Sequence, residues 1–258
     1  MDLQLNKNSS NEYKCSLTKH FNVKNIICSF LYDLKDIINL YNLNKDHQNN
    51  IKITNLYDIP EKYLKKLDQQ IIEQKKYKFV EKLNACNNKK IKNVNHMRYT
   101  LKILNCGWNC GIDQNGIFLL DLIELYATNN KKINNVNHMK RKLKILYCCG
   151  DSAIDQKGIY ELNLIKLGAG NNKKINNVNH MKGALKILDC SWNCGINQNG
   201  ISELNLVELY AGYNKKINNT NHMKHTLKKL YCNNNSGIDQ KGISDGEKYN
   251  FTPSHGFF

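Results

Sequence analysis

The sequence predicts an α/β chain: a solenoid of stacked coils with a parallel concave sheet, preceded by a small all-α segment. Two counted periods and one interruption predict it. A phrase close to NNKKINNVNHMK recurs with its histidines, His96, His138, His180 and His222, 42 residues apart. Inside that block Leu101, Leu122, Leu143, Leu164, Leu185, Leu206 and Leu227 fall 21 residues apart, with Val80 in the same phase. Residues 1–78 break the period. A fixed period in the range of ~20–50 residues is the signature of a repeat array.

Composition narrows the class. The 258 residues are 41% hydrophobic, enough for a core, and no run of ~18 apolar residues suggests a membrane span, so no membrane is expected among the partners. Met1 to Ser10 is polar and unlike a secretory signal, which points to the cytoplasm or nucleus and not to secretion. The ten cysteines are then expected as thiols. A net charge of +16 invites a nucleic-acid reading. Asn, Lys and Ile dominate, however, and AT-rich codons encode all three, so the basicity reads as composition and nucleic acid is not expected as the partner.

Numbering each unit from zero at Val80, position 3 is always Leu, from Leu83 to Leu230, and position 11 always Ile, from Ile91 to Ile238. Position 5 alternates Ala and Cys. Position 8 is Asn88, Asn109, Asn130, Asp151, Asn172, Asn193, Asn214 and Asn235. The unit LxxLx(A/C)xxNxxI resembles the leucine-rich repeat, eight units over residues 80–247. Positions 3 and 5 share a parity, so a short strand turns both side chains inward. Position 8 suits a buried asparagine ladder whose amides satisfy backbone groups of adjacent coils, and replacing Asn193 with Ala should cost about 1–3 kcal/mol. With little length left for a convex helix, short 3₁₀ or extended segments are expected there.

Positions 2 and 4 should point out of the concave sheet and position 7 should lie at its edge. These positions supply the candidate target-binding residues Ile103, Trp108, Tyr126, Tyr147, Asp189, Trp192, Glu208, Tyr210, Tyr213 and Tyr231. Aromatic rings anchor interfaces at low entropic cost; the competing reading is that they only cover the sheet edge. The pairs Lys89-Lys90, Lys131-Lys132, Lys173-Lys174 and Lys215-Lys216 should line one flank at about 10 Å intervals, as a solvated face or as a contact for an acidic partner or a phosphate backbone.

The NHM histidines take the place that Ile117, Ile159 and Ile201 hold in intervening units, and two coils separate them, too far to share a metal. They read as packed, hydrogen-bonded core histidines. Cys106, Cys148, Cys190 and Cys232 lie in alternate strands, beyond disulfide reach; Cys106 with Cys110, or Cys190 with Cys194, could share an ion only if a third ligand approached. No catalytic motif appears, and no catalytic residue, metal or cofactor is expected.

Residues 16–55 carry helical apolar stripes, first over Phe21 to Leu31, then over Leu34, Ile37, Ile38 and Tyr41, with a third short helix over Asp46 to Ile53. The stretch FNVKNIICSFLYDLKDIINLYNLNKDHQNNI resembles the F-box in its I-I-x-x-F-L core, its L-K-D-I turn and the N-L-N-K that opens the third helix. The resemblance implies docking to the Skp-type adaptor of a cullin-type ubiquitin ligase through Phe21, Ile26, Ile27, Phe30, Leu31, Leu34 and Ile37. The chain departs from that family in lacking an opening Leu-Pro, with Phe21-Asn22 there, and in offering His47 where an aromatic commonly closes the motif. The alternative is a helical cap over the first coil. Residues 56–79 are expected as a linker and capping helix over Pro60 to Lys76, starting from the Asp58-Ile59-Pro60-Glu61 signal. Residues 1–15 and 248–258 are expected as loosely ordered ends. Together these features predict a substrate-recognition adaptor of a cullin-type ligase that binds an unknown target, or else an interaction scaffold with no ubiquitin link.

Overall fold

The computed structural model describes residues 34–233 and 235–238. The expected loose ends, residues 1–15 and 248–258, and the candidate residues Phe21, Ile26, Ile27, Phe30 and Leu31 lie outside them.

Nine strands form one parallel sheet in chain order. They are β1 (Asn55–Leu56), β2 (Lys82–Asn84), β3 (Ile103–Asn105), β4 (Glu124–Tyr126), β5 (Ile145–Tyr147), β6 (Lys166–Gly168), β7 (Ile187–Asp189), β8 (Glu208–Tyr210) and β9 (Lys229–Tyr231). Leu104, Leu125 and Leu146 are register partners on successive strands. The chain is a parallel-sheet repeat solenoid. Its cause is the strand period: the position-3 leucines and the Ala or Cys at position 5 are buried on one side, while positions 2 and 4 face outward. No coil can bury this edge alone, so each supplies the core of its neighbours, and one apolar cluster runs from Ile53 to Ile238.

The connections back across the core are single turns, mostly 3₁₀, as a 21-residue coil allows. They show that the true period is two coils. In the coils that start at Val80, Leu122, Leu164 and Leu206, here type A, the core side of the turn holds Val94 and Met97, Val136 and Met139, and their equivalents. In the type B coils, starting at Leu101, Leu143, Leu185 and Leu227, the first three hold Ile117 and Leu120, Ile159 and Leu162, and Ile201 and Leu204 there. Gly116, Gly158 and Gly200 lie against the type A backbone so closely that a Cβ would stand 2.2, 2.1 and 2.1 Å from the carbonyls of Lys92, Asn134 and Asn176.

This alternation corrects the reading of the histidines. Met97, not His96, fills the core slot opposite Ile117, and His96, His138, His180 and His222 are exposed. A fixed phase of 21 aligned them wrongly because core spacing alternates between a shorter and a longer step. Their hydrogen bonding is as expected: Nε2 of each meets the carbonyl of Ile72, Ile117, Ile159 and Ile201 in turn, at 3.1–3.2 Å.

The array also begins earlier than its repeat. β1 pairs with β2, Leu56 beside Leu83, and Ile53, Leu56, Leu67, Ile72 and Tyr77 join the core. Residues 56–79 thus form one longer coil in place of a single capping helix. Pro60 precedes a one-turn helix, Glu61–Leu64; Asp68 caps a second, Gln69–Ile72; and a 3₁₀ turn, Lys75–Tyr77, closes the coil. The spacing of Leu64, Leu67 and Ile71 fits a helix locally, but the coil must turn to present Leu67 and Ile72 to the core. Ahead of it stand the helices Leu34–Asn42 and Lys45–Asn50, the second capped by Asn44, whose Oδ1 accepts from the His47 amide at 2.9 Å.

Candidate protein interface

The outward positions meet along the sheet. Tyr126 and Tyr147 stack with centroids 5.1 Å apart, and Tyr210 and Tyr231 at 4.3 Å. Tyr57, just past β1, approaches Tyr126 at 6.1 Å; counting from Val80 missed it. Between the two groups lie Gly168, whose Cβ would stand 2.4 Å from Tyr147 Cδ1, and Asp189. The tyrosines therefore lie along the sheet and are half-buried, as are Ile103, Asp189 and Glu208. They cover the sheet as well as face outward.

Charge on this face is locally neutralised. The Glu208 carboxylate accepts from Lys229 Nζ at 2.8 Å and from the Tyr210 hydroxyl at 3.2 Å, and the lysine holds it below the usual carboxylate range. Burial, then the hydrogen bond to Glu124 at 2.9 Å, pushes the Tyr126 hydroxyl up. Burial likewise raises Asp189, opposed by hydrogen bonds from the Ser191 hydroxyl and amide. Lys166 Nζ sits 5.3 Å from the Tyr147 ring centroid.

The rim where the strands end is different. The amide of position 7 donates to the position-6 carbonyl of the next coil, for example Trp108 to Thr128 at 2.7 Å and Asn129 to Cys149 at 3.0 Å. Position 7 lies in the left-handed region in seven successive coils, Asn87, Trp108, Asn129, Gly150, Asn171, Trp192 and Tyr213, with φ of 55–65°; the first six make this main-chain bond, and the Tyr213 amide donates instead to Asn233 Oδ1 at 3.1 Å. Asn and Gly tolerate this backbone; a bulky residue there costs about 1–2 kcal/mol. Trp108, Trp192 and Tyr213 nevertheless occupy it and are 50, 43 and 39% exposed. Trp192 and Tyr213 stack at 4.4 Å, while Trp108 stands four coils away, roughly 19 Å. The exposed rings at the rim therefore stand on strained backbone, a feature that exposure alone does not supply.

The ladder residues divide by coil type. Asn130, Asn172 and Asn214 are buried. Their Nδ2 groups donate to pairs of carbonyls, Cys106 and Ile112, Cys148 and Ile154, Cys190 and Ile196, and their Oδ1 atoms accept from the amides of Lys132, Lys174 and Lys216. Asn88 repeats this against Leu64 and Leu67. Asn109, Asp151, Asn193 and Asn235 are exposed and do not extend the ladder. In type B coils the next residue enters the turn: Cys110 Sγ and Ser152 Oγ accept from the amides of Ile112 and Ile154.

Three of the eight lysines of the flank are structural. Lys132, Lys174 and Lys216 donate to the carbonyls of Cys110, Ser152 and Cys194 at 2.9–3.2 Å. The thiols of Cys106, Cys148 and Cys190 are buried, which pushes them well up. Among the described residues no three His, Cys, Asp or Glu side chains converge as a metal site requires. Of the adaptor-binding candidates, Leu34 and Ile37 fall on the helix Leu34–Asn42, whose Ile38 packs against the solenoid core.

A second surface escaped the sequence reading. Tyr99, Phe118, Leu119, Ile123, Tyr160 and Ile165 are all exposed, at the opposite edge of the sheet, where strands begin. Positions 1 and 17–19 alternate between the two coil types, so no column shared by all coils flagged them. No protein-family model and no curated protein matches the chain.

Proposed function

We propose that this chain is a non-catalytic receptor of the leucine-rich-repeat kind, holding a target protein against the outward sheet face and its aromatic rim. The observation that carries the reading is the placing of Trp108, Trp192 and Tyr213, exposed, in backbone that favours Asn or Gly. Rigid rings standing out from a fixed frame are suited to enter pockets of a partner. The finer reading is that the N-terminal helical segment docks on a Skp-type adaptor, so that the chain presents its target to a cullin-type ubiquitin ligase by proximity alone. Its support is the F-box resemblance of the segment just before the coils.

Affinity capture with wild type and with Trp108→Asn/Trp192→Asn/Tyr213→Asn tests the target surface, since Asn occupies the same backbone in Asn87, Asn129 and Asn171. The folded triple variant should lose a specific partner; retention of every partner removes the rim reading. Recovery of the Skp-type adaptor by wild type and by Phe30→Asp/Leu31→Asp tests the ligase link. Equal recovery by both, or none by either, removes it. The packing of Ile38 on the core favours the second reading, a scaffold whose first helices only cap the array.

A further inference from the structure

The edge where strands begin is built differently from the rim. Along it the amide of Ile123 donates to Lys102 O, Lys144 to Ile123 O, Ile165 to Lys144 O, Lys186 to Ile165 O and Val207 to Lys186 O, all at 2.8–2.9 Å. These six residues are one row, one per coil, alternating cation and branched aliphatic. In the same turns stand Tyr99, Phe118, Leu119 and Tyr160. Ten large apolar side chains are exposed among the described residues, and six of them lie on this edge, so it is the most apolar exposed surface of the solenoid. It is also basic. The stretches 98–102, 118–123, 140–144, 160–165, 182–186, 202–207 and 224–228 hold ten Lys and Arg against three acids, a surplus of seven. Those acids, Asp121, Glu161 and Glu203, are each held in an ion pair by Lys142, Lys140 and Lys182.

We propose that this edge is a peripheral docking surface for an anionic lipid bilayer. Aliphatic Leu119, Ile123 and Ile165 can neither stack on bases nor bond to them, which disfavours nucleic acid. The centre of a protein–protein interface is depleted of lysine, yet here lysine alternates with isoleucine coil by coil. A bilayer boundary accepts both: apolar tips enter the acyl margin while lysine stems lie along it with their ammonium groups among the headgroups. The charge surplus selects anionic lipid. Among the described residues no helix is long and apolar enough to cross a membrane, and lying against one requires no span. The surface is separate from the rim, so it stands or falls independently of the target-binding reading.

The experiment is co-sedimentation of the full chain with vesicles of phosphatidylcholine alone and of phosphatidylcholine mixed with phosphatidylserine. Binding is expected to the mixed vesicles only and should weaken with salt. Phe118→Ser/Tyr160→Ser and Arg141→Glu/Lys186→Glu should each reduce partition by about ten-fold, with Trp108→Asn/Trp192→Asn unchanged. Both edge pairs alter exposed side chains, and circular dichroism checks each fold; if one pair unfolds, the other decides. No binding to mixed vesicles, equal binding to both kinds, or no effect of a folded edge variant overturns the proposal. Binding to single-stranded polyuridylate without binding to vesicles also overturns it and assigns the surface to nucleic acid.

Discussion

The Trp192 indole lies against the Tyr213 ring, centroids 4.4 Å apart and planes within 9°, although the two belong to different coils and both hold left-handed backbone. The stack gives back part of the backbone cost and ties neighbouring coils at the rim. A double-mutant cycle of Trp192→Ala and Tyr213→Ala should therefore show a stabilising coupling of about 0.5–1.5 kcal/mol in urea unfolding. Strictly additive losses would mean that the rings do not support one another.

The two-coil period makes a sharper demand. Asn172 is buried and holds two carbonyls and one amide, whereas Asn193, one coil on at the same count, is exposed. Asn172→Ala should cost roughly 2–4 kcal/mol by stranding those groups, and Asn193→Ala should stay within about 0.5 kcal/mol. Equal losses in denaturant titrations would restore an unbroken ladder of eight.

Thiol reactivity follows burial. Burial pushes Cys110 and Cys194 up to about 11 and Cys149 to about 12, opposed at Cys110 and Cys194 by backbone hydrogen bonds in the turn. Cys106, Cys148 and Cys190 have no exposed surface. Alkylation of the native chain near neutral pH, mapped by mass spectrometry, should spare these six and modify them only in denaturant. Rapid native labelling of Cys106 or Cys190 would contradict the packing of position 5.

Much of the fold is legible from Leu and Ile alone, because stacked coils bury the same column each time. Leu83 to Leu230 and Ile91 to Ile238 report that column directly. What is not legible arises where two local solutions share one period. Type A turns use Val94 and Met97, type B turns Gly116 and Ile117, and only a close approach of backbones, which a sequence does not display, makes the core spacing alternate. The extra coil from β1 is hidden for the opposite reason: it buries the right residues with a different length, so no period reveals it. At the candidate interface the outward tyrosines are readable from parity, but the left-handed rim depends on a hydrogen bond between coils. The apolar and basic leading edge depends on which turns of neighbouring coils meet.

Two of the exposed histidines are set up to sense acid. His138 packs beside Phe118, with ring centroids 6.2 Å apart, and His180 beside Tyr160, at 5.9 Å. Desolvation by these surroundings lowers both below the ordinary histidine value, opposed by the carbonyls of Ile117 and Ile159 and, at His138, by Asp121. A base whose pKa is depressed on folding binds protons more weakly in the folded chain than in the unfolded one. Its contribution is thus present above the unfolded value, near 6.5, and is lost as pH falls through the folded value. The thermal midpoint should fall between about pH 7 and pH 5, and His138→Gln/His180→Gln, which keeps a donor for each carbonyl, should flatten that fall. If the double variant and wild type lose the same midpoint on acidification, the rings at Phe118 and Tyr160 do not desolvate their histidines.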